Sequence, residues 1–357
     1  MTIQLNNINE IKRLDSQNML GSLRLLGKQV WGVWGEAKSV KMPLAYKKIN
    51  KVLVCGMGGS ALGAHIVKTL FQKELAVPVE ILNDYHLPDF VDNNTLIVIS
   101  SYSGTTEEPV NAAKEALKRD CRIVVITTGG ELAPWAKKNR LPALVFNASY
   151  NPCDQPRMGL GYAVGGMTGI FSKLELVKFG DKDARRLVTA MQSAQRKFDI
   201  KVDENINSAK QFARSALGRS IWYVGAEHLV GNAHVAANQM NENAKRFAGY
   251  FAIPEFNHHL MEGMGYPKTN KENLLFILID SNLYDKRVQK RYGVTKKVLE
   301  QNGIKYLSYK CVEKAKLGQT GEVLVLGSYI SYYSALLEGI DPTAIPYVDY
   351  FKKELRK

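Results

Sequence analysis

LIVISSYSGTTEE, residues 96–108, decides how this chain is read. A four-residue apolar run, Leu96 to Ile99, stops at Ser100, and the hydroxyls of Ser101, Ser103 and Thr106 follow almost at once. Gly104 permits a tight turn, and Thr106 with Glu107 and Glu108 reads as the start of a helix continuing through Val110 and Leu117. Hydroxyls and unpaired N–H groups at the positive end of a helix dipole make an anion cradle that needs no dedicated lysine. Serine clusters between strand and helix are ordinarily turn chemistry and an N-cap, so this loop alone does not decide between the two.

A second loop upstream shifts the balance. In KVLVCGMGGSALG, residues 51–63, an apolar strand ends in Gly56, Gly58, Gly59 and Ser60, and an apolar helix follows directly. Both loops stand at the carboxyl ends of apolar strands, the side on which open parallel sheets bind ligands. GMGGSALG only approximates the dinucleotide pattern GxGxxG: its third position is Ala61, and neither Glu80 nor Asp84 is well placed as the ribose-reading carboxylate. No GxxxxGK[ST] pattern occurs, which argues against a P-loop nucleotidase. A small phosphorylated metabolite fits the two loops better than a nucleotide.

The chain has 357 residues, enough for two domains, with 45% apolar and 23% charged residues, the composition of a globular protein. The segment MTIQLNNINEIKRLDSQ is polar and lacks an apolar signal core, and no run approaches a membrane span, so a cytoplasmic protein with no membrane partner is expected. Cys55, Cys121, Cys153 and Cys311 are scattered and form no CxxC pair, which suits buried thiols in a reducing compartment rather than a zinc site. The net charge of +14 invites a nucleic-acid reading, but the cations are spread through nearly every expected helix without interleaved aromatics. No nucleic-acid partner is expected, and the charge favours anionic substrates instead.

Residues 8–37 read as an N-terminal helical arm, with Met19, Leu23, Leu26 and Val30 at helical spacing. Strands near residues 52–55, 79–82, 96–100, 123–127 and 143–146 then alternate mostly with helices, which implies an α/β fold with a largely parallel sheet flanked by helices on both faces. Residues 158–171 are apolar yet rich in glycine, the pattern of a closely packed helix. The domain crossover falls where residues 180–207 turn charged and amphipathic, giving domains of residues 1–195 and 196–357. The second half repeats strand–glycine–helix in SIWYVGAEHLVGNAHVAANQ and strand–turn–helix in LLFILIDSNLYDKRVQK. It has no second Ser/Thr-rich loop, so one phosphate site per chain is expected. A final helix starts near Pro346.

The acid–base candidates crowd into NQMNENAKRFAGYFAIPEFNHHLMEG, residues 238–263. HHLME lacks HExxH spacing and no third ligand is apparent, so no metal site is expected. Glu242, near the end of an expected helix, would ordinarily be a solvated charge. His258, preceded by Glu255 and Asn257, reads equally as a cap, a satisfied core histidine or a catalytic group.

GMGGSA, SYSGTTEE, QPRMGLG, NENAK and EFNHH occur in that order, and together they resemble the bifunctional phosphoglucose/phosphomannose isomerases, a family built from two sugar isomerase (SIS) domains. The resemblance runs from residue 52 to residue 355. It implies two SIS-type doubly wound domains, with Glu242 as catalytic base, His258 assisting ring opening and Arg157 beside the reacting carbons. Ser60, Ser101, Ser103 and Thr106, with the backbone around Gly58 and Gly59, resemble the phosphate ligands. Lys352 in DYFKKEL resembles the ring-opening lysine, with Lys353 as the neighbouring alternative, and Thr343 in DPTAIP falls near the sugar hydroxyls. The chain departs from the family's SGNTEET at Thr105 and Pro109, and it has NHH where NHN is common. Those departures touch no phosphate hydroxyl and not the base, but bear on substrate preference.

The resemblance further implies interconversion of fructose 6-phosphate with glucose 6-phosphate, mannose 6-phosphate or both through a cis-enediol, with no cofactor and no metal. It implies a homodimer with the active site at the subunit interface and His258 in cis or from the partner. Two rivals stand beside it. One is a non-catalytic sugar-phosphate sensor, which would ordinarily carry an effector module. The other is a different SIS sugar-phosphate isomerase, such as the isomerase half of a glucosamine-6-phosphate synthase, which would ordinarily follow a glutaminase domain with an N-terminal cysteine; here Met1 and Thr2 stand first and no cysteine precedes Cys55.

Overall fold

A computed structural model describes residues 3–355. The apolar run Leu96 to Ile99 lies within the strand Thr95–Ser100, which is buried along its whole length. Such a strand is apolar on both faces because helices cover both faces of a parallel sheet. Its neighbours are Lys51–Cys55, Val79–Leu82, Arg122–Thr127 and Ala143–Val145. Numbered along the chain as β1 (Lys51–Cys55), β2 (Val79–Leu82), β3 (Thr95–Ser100), β4 (Arg122–Thr127) and β5 (Ala143–Val145), they form one sheet in the order β2-β1-β3-β4-β5. Every pairing is parallel. Leu53, Ile97, Ile99, Ile123 and Val125 form the core beneath one face, and each fully buried aliphatic side chain contributes about 2 kcal/mol.

The second sheet comprises β6 (Ser220–Ala226), β7 (Ala248–Ile253), β8 (Leu274–Asp280) and β9 (Lys305–Lys310), ordered β7-β6-β8-β9 and again wholly parallel. The two expected parallel-sheet domains are therefore present. Two of these strands lie at the edges of the sheet and are only partly buried. β7 is a half-buried edge strand with Gly249 and the exposed Tyr250, and β9, KYLSYK, is mostly polar, which is why neither stood out in the sequence.

The glycine-rich helix Leu160–Lys173 packs as expected, and the reason is steric. A Cβ at Gly161 would lie 2.4 Å from the Leu26 carbonyl oxygen, and one at Gly169 would lie 2.5 Å from Ala37 Cβ. Only hydrogen side chains let it approach the helix Leu26–Ser39 so closely.

Residues 25–191 with 316–320 form one compact unit, containing the first sheet, and residues 3–24, 192–315 and 321–355 form the other. The arm expected as one element of the first domain differs in two ways. It is three helices, Ile8–Leu14, Met19–Arg24 and Leu26–Ser39. The break arises at Asp15, whose carboxylate accepts the Met19 and Leu20 amides at 2.6 and 2.9 Å, and at Asn18, which has φ +57°. The first two helices belong with the second sheet. Arg24 Nε and Nη2 donate to Asp199 at 2.7 and 2.8 Å, the Tyr332 hydroxyl donates to Asp15 at 3.0 Å, and the buried Lys210 donates to Asn6 Oδ1 at 3.1 Å. Helical spacing was uninterrupted enough to suggest a single run, and it carries no information about which core an amphipathic face joins.

No helix among the described residues is long and apolar enough to cross a membrane, and no cluster of three or more metal-ligating side chains occurs among them. No disulfide links the four buried cysteines. Burial pushes the Cys55 thiol up to about 12, so it stays protonated in the core.

Candidate functional site

In the first sheet the chain runs from β1 to β2 on one side and to β3 on the other, so the order reverses between β1 and β3. At such a switch point the loops diverge and leave a crevice above the carboxyl ends. The glycine loop after β1 and the hydroxyl loop after β3 both emerge there.

The two loops hold each other. Ser60 Oγ accepts the Tyr102 amide at 2.8 Å, and Ser100 Oγ donates to the Ser60 carbonyl at 2.9 Å. Ser101 is buried, and its hydroxyl accepts the Gly104 amide at 3.1 Å and donates to Thr106 Oγ1 at 3.2 Å. Ser101 thereby shapes the loop, while Ser103 is exposed and Ser60 and Thr106 are half-buried. Gly104, at φ +70°, could carry no side chain, since a Cβ would lie 2.0 Å from the Gly129 carbonyl oxygen. Gly58 has open space around it and is required by its φ of +46°.

The helices Gly58–Leu70 and Glu107–Lys118 begin at these loops, and no side chain caps either one. Their first-turn amides therefore face the crevice mouth without a competing side-chain acceptor, as anion sites at helix starts require. The cavity directly beneath the loops, bounded by Gly59, Ser60, Ser100, Tyr102 and Phe146, is only about 10 Å³, room for at most one water. The space beneath the loops is too small for a sugar phosphate.

Arg157 is carried by the short 3-10 turn Pro156–Met158 of the same unit. A Cβ on Gly59 would lie 2.7 Å from the Pro156 carbonyl, so glycine is what lets this turn press against the glycine loop. The Arg157 side chain is buried, and its Nη1 donates to Gln155 Oε1 at 2.9 Å. Asn151 Nδ2 donates to the Tyr102 hydroxyl at 3.0 Å and to the Gln155 carbonyl at 2.9 Å, linking the arginine's turn to the hydroxyl loop. Burial pushes the Tyr102 phenol well above its usual range, so it remains a neutral donor, and it reaches Asp154 Oδ1 at 3.2 Å. Sequence reasoning missed Tyr102, Asn151 and Gln155. The only signal was their position inside or beside the motifs SYSG and QPRMG.

Glu242, His258, Thr343 and Lys352 belong to the other unit. Glu242 is half-buried on the last turn of the helix Val230–Ala244, between two asparagines that are both tied down. Asn241 exchanges hydrogen bonds with Ala248, donating at 2.8 Å and accepting at 3.0 Å, and Asn243 Nδ2 donates to Ser331 Oγ at 3.0 Å. The helix ends at Lys245 in the left-handed region, φ +50°. Lys245 Nζ donates to the Asp341 carbonyl at 2.6 Å, and Asp341 Oδ1 accepts the Thr343 amide at 2.7 Å. One lysine thus joins the end of the Glu242 helix to the turn that carries Thr343, which is itself buried.

His258 is neither a core histidine nor a cap. It is exposed on the helix Phe256–Gly263, which is anchored by the fully buried Phe256 and by Asn257 Nδ2 donating to Thr295 Oγ1 at 2.8 Å. Lys352 and Lys353 are exposed on the helix Pro346–Leu355, which buries none of its residues within the chain.

Two parallel-sheet units, one with interlocked glycine and hydroxyl loops at its switch point, define a double SIS-type α/β protein. The SIS domain model matches residues 45–143, and the model of the bacterial phospho-glucose isomerase C-terminal SIS domain matches residues 205–355. The bifunctional phosphoglucose/phosphomannose isomerase of Caldicellulosiruptor bescii is 28% identical over 94% of this chain and 98% of its own, and the protein so named in Aquifex aeolicus is 29% identical over 86% and 90%. A D-glucosamine-6-phosphate 4-epimerase of Sulfolobus acidocaldarius is 28% identical over 60% of this chain and 64% of its own. The chain thus carries two SIS-type domains, and over most of its length it is similar to the bifunctional phosphoglucose/phosphomannose isomerases. Its fold also matches a hypothetical protein of Thermus thermophilus (TM-score 0.75, 16% identity, 98% of this chain and 93% of that one). The C-terminal domain of a Francisella tularensis glucosamine-fructose-6-phosphate aminotransferase gives a TM-score of 0.69 at 14% identity, covering 91% of this chain and 97% of that one.

Proposed function

We propose that this protein is an aldose–ketose isomerase that interconverts fructose 6-phosphate with glucose 6-phosphate, mannose 6-phosphate or both. The observation that carries the reading is the hydroxyl loop at the switch point, bounded by two helix starts that no side chain caps. The phosphate is held by Ser60, Ser103, Thr106 and the amides near Gly58 and Gly59, with Ser101 holding the loop's shape. That grip, remote from the reacting carbons, fixes their position.

Aldose and ketose differ by one hydrogen moved between C2 and C1 and one proton moved between O2 and O1. Glu242 removes the proton from C2 and returns it to C1 through a planar cis-enediol, so one carboxylate serves both carbons. Arg157, permanently cationic, stabilises the charge that develops on the enediolate oxygens without exchanging a proton. Hexose phosphates rest mainly as rings, and His258 with Lys352, or its neighbour Lys353, moves a proton between ring oxygen and anomeric hydroxyl. Thr343 lies in the segment assigned to the sugar hydroxyls. The scheme uses no metal and no cofactor.

The working unit is a homodimer with His258 supplied by the partner subunit. In support, His258 is exposed in its own chain, and the helix Pro346–Leu355 leaves Tyr347 86% and Phe351 61% exposed, apolar surface that its own chain does not cover. The four cysteines, none in a disulfide, suit work in the cytoplasm. The epimerase relative covers 60% of the chain against 94% for an isomerase relative, which favours isomerisation.

The test is incubation of the purified protein with fructose 6-phosphate and EDTA, assaying glucose 6-phosphate and mannose 6-phosphate separately. Formation of either supports the reading. Formation of neither, with sugar phosphate still bound, would leave a sensor in its place.

A further inference from the structure

The second unit contains a cleft of about 580 Å³ on the side opposite to the one parallel sheets ordinarily use. Its walls come from where β6, β7 and β8 begin, the amino edge of the second sheet. Arg219, Lys245 and Arg246 line it together with Glu338 and the ring of Phe247.

The charges there are out of balance. Three cations stand against one carboxylate. Arg246 is the deepest, with its side chain 11% exposed, paired with a Glu338 that is 40% exposed. Its Nη1 donates to the Arg219 carbonyl at 3.1 Å, while its buried Nε has no hydrogen-bond partner among the described residues. Burial holds its proton affinity below that of an ordinary guanidinium, as expected of a desolvated cation with too little compensating charge. Arg219 Nη1 reaches only carbonyls, those of Lys271 and Leu274, both at 3.1 Å. Phe247 is 71% exposed and meets Trp222 edge-on, with ring centroids 6.3 Å apart, so one broad face of an aromatic ring is presented beside the cations.

The geometry points to a second binding site, for a nucleoside phosphate: the arginines and Lys245 take the phosphate, and Phe247 takes the flat base. The volume lies within the range of small-ligand clefts, guanidinium forks match phosphate oxygens, and an exposed ring offers stacking to any base. Because Lys245 also joins the Glu242 helix to the Thr343 turn, a ligand that recruits its ammonium would act on the isomerase machinery proposed above.

The test uses AMP as probe and isothermal titration of the full-length protein, first alone and then with saturating fructose 6-phosphate. One AMP per chain is expected under both conditions, bound more tightly than inorganic phosphate. Arg219→Met should weaken AMP and phosphate alike, by about ten-fold. Phe247→Ala, at an exposed position, should weaken AMP about ten-fold with phosphate unchanged and the melting temperature retained. Absence of AMP binding at millimolar concentration overturns the inference. So does displacement of AMP by fructose 6-phosphate, an affinity no better than that for phosphate, or indifference to both substitutions. The titration reads binding and not turnover, so it stands whether or not the isomerase assay succeeds.

Discussion

Ser60 Oγ accepts the backbone N–H of Tyr102 at 2.8 Å, so a hydroxyl from the glycine loop holds the backbone of the hydroxyl loop. The same serine's carbonyl accepts Ser100 Oγ at 2.9 Å, which makes the lock reciprocal. Ser60 therefore fixes the shape of both loops, and in the proposed cradle it also binds the phosphate. Ser60→Ala should raise KM for fructose 6-phosphate about ten-fold, the loss of one or two hydrogen bonds, while kcat changes about three-fold or less. An unchanged KM would remove Ser60 from the cradle.

Gly59 has a different duty, since a Cβ there would lie 2.7 Å from the Pro156 carbonyl and 2.8 Å from the Arg157 amide. Both obstacles are backbone, so Gly59→Ala must displace the turn that carries Arg157. A loss of about 1–3 kcal/mol in stability is expected, with a fall in kcat that exceeds any rise in KM. Gly180→Ala, where no atom lies within 4 Å, serves as the control and should stay within about 0.5 kcal/mol of the parent. Denaturant unfolding and steady-state kinetics read both.

Glu242→Gln keeps the size of the side chain and removes its basicity. Turnover should fall by about 10²–10⁴-fold, the usual contribution of general base catalysis, with sugar-phosphate binding retained. Exchange of the C2 proton with solvent deuterium, followed by NMR, should stop in parallel. Wild-type exchange in the variant would remove Glu242 as the base.

Subunit mixing tests where His258 acts. Glu242→Gln and His258→Ala proteins should each be inactive alone. If each site pairs its own Glu242 with the partner subunit's His258, exchanged subunits regain up to about a quarter of wild-type activity, since half the dimers are mixed and one of their two sites is intact. If both residues act within one chain, the mixture stays inactive.

Arg24 and Asp199 set an acid limit on stability. Burial alone would raise the Asp199 carboxyl, but the Arg24 fork and the Lys201 amide outweigh it and hold it below the usual carboxylate range. A carboxylate lowered on folding contributes stability that is present above its unfolded pKa, about 3.9, and lost as pH falls through its folded value. Arg24→Met should cost about 2 kcal/mol at neutral pH, discounted because the Arg24 side chain is 35% exposed, and should flatten the stability profile below about pH 4. Urea midpoints between pH 3 and 7 in both proteins check the sign. Equal profiles would show that the pair does not hold the first two helices.

Much of the site was legible in order along the chain because its parts are local devices. Gly58 and Gly104 stand where φ is positive, Ser60 and Thr106 stand at helix starts, and Glu242 stands on a last helical turn. Each follows from the few residues around it, as do the apolar strands β1, β3 and β4. β7 and β9 were not legible, because half-buried edge strands with polar or glycine residues lack a period strong enough to show.

Sequence by itself determined a parallel α/β chain with two Gly/Ser/Thr loops at strand ends and a glutamate at a helix end, since backbone sterics and apolar periodicity act over a few neighbours. Only the tertiary structure decided that residues 3–24 join the second sheet, that Arg157 is buried against its own Gln155 while His258 is exposed, and that Arg219, Arg246 and Phe247 line one cleft. Those outcomes depend on which distant surfaces meet, and an amphipathic face or a lone cation carries no local mark of its eventual partner.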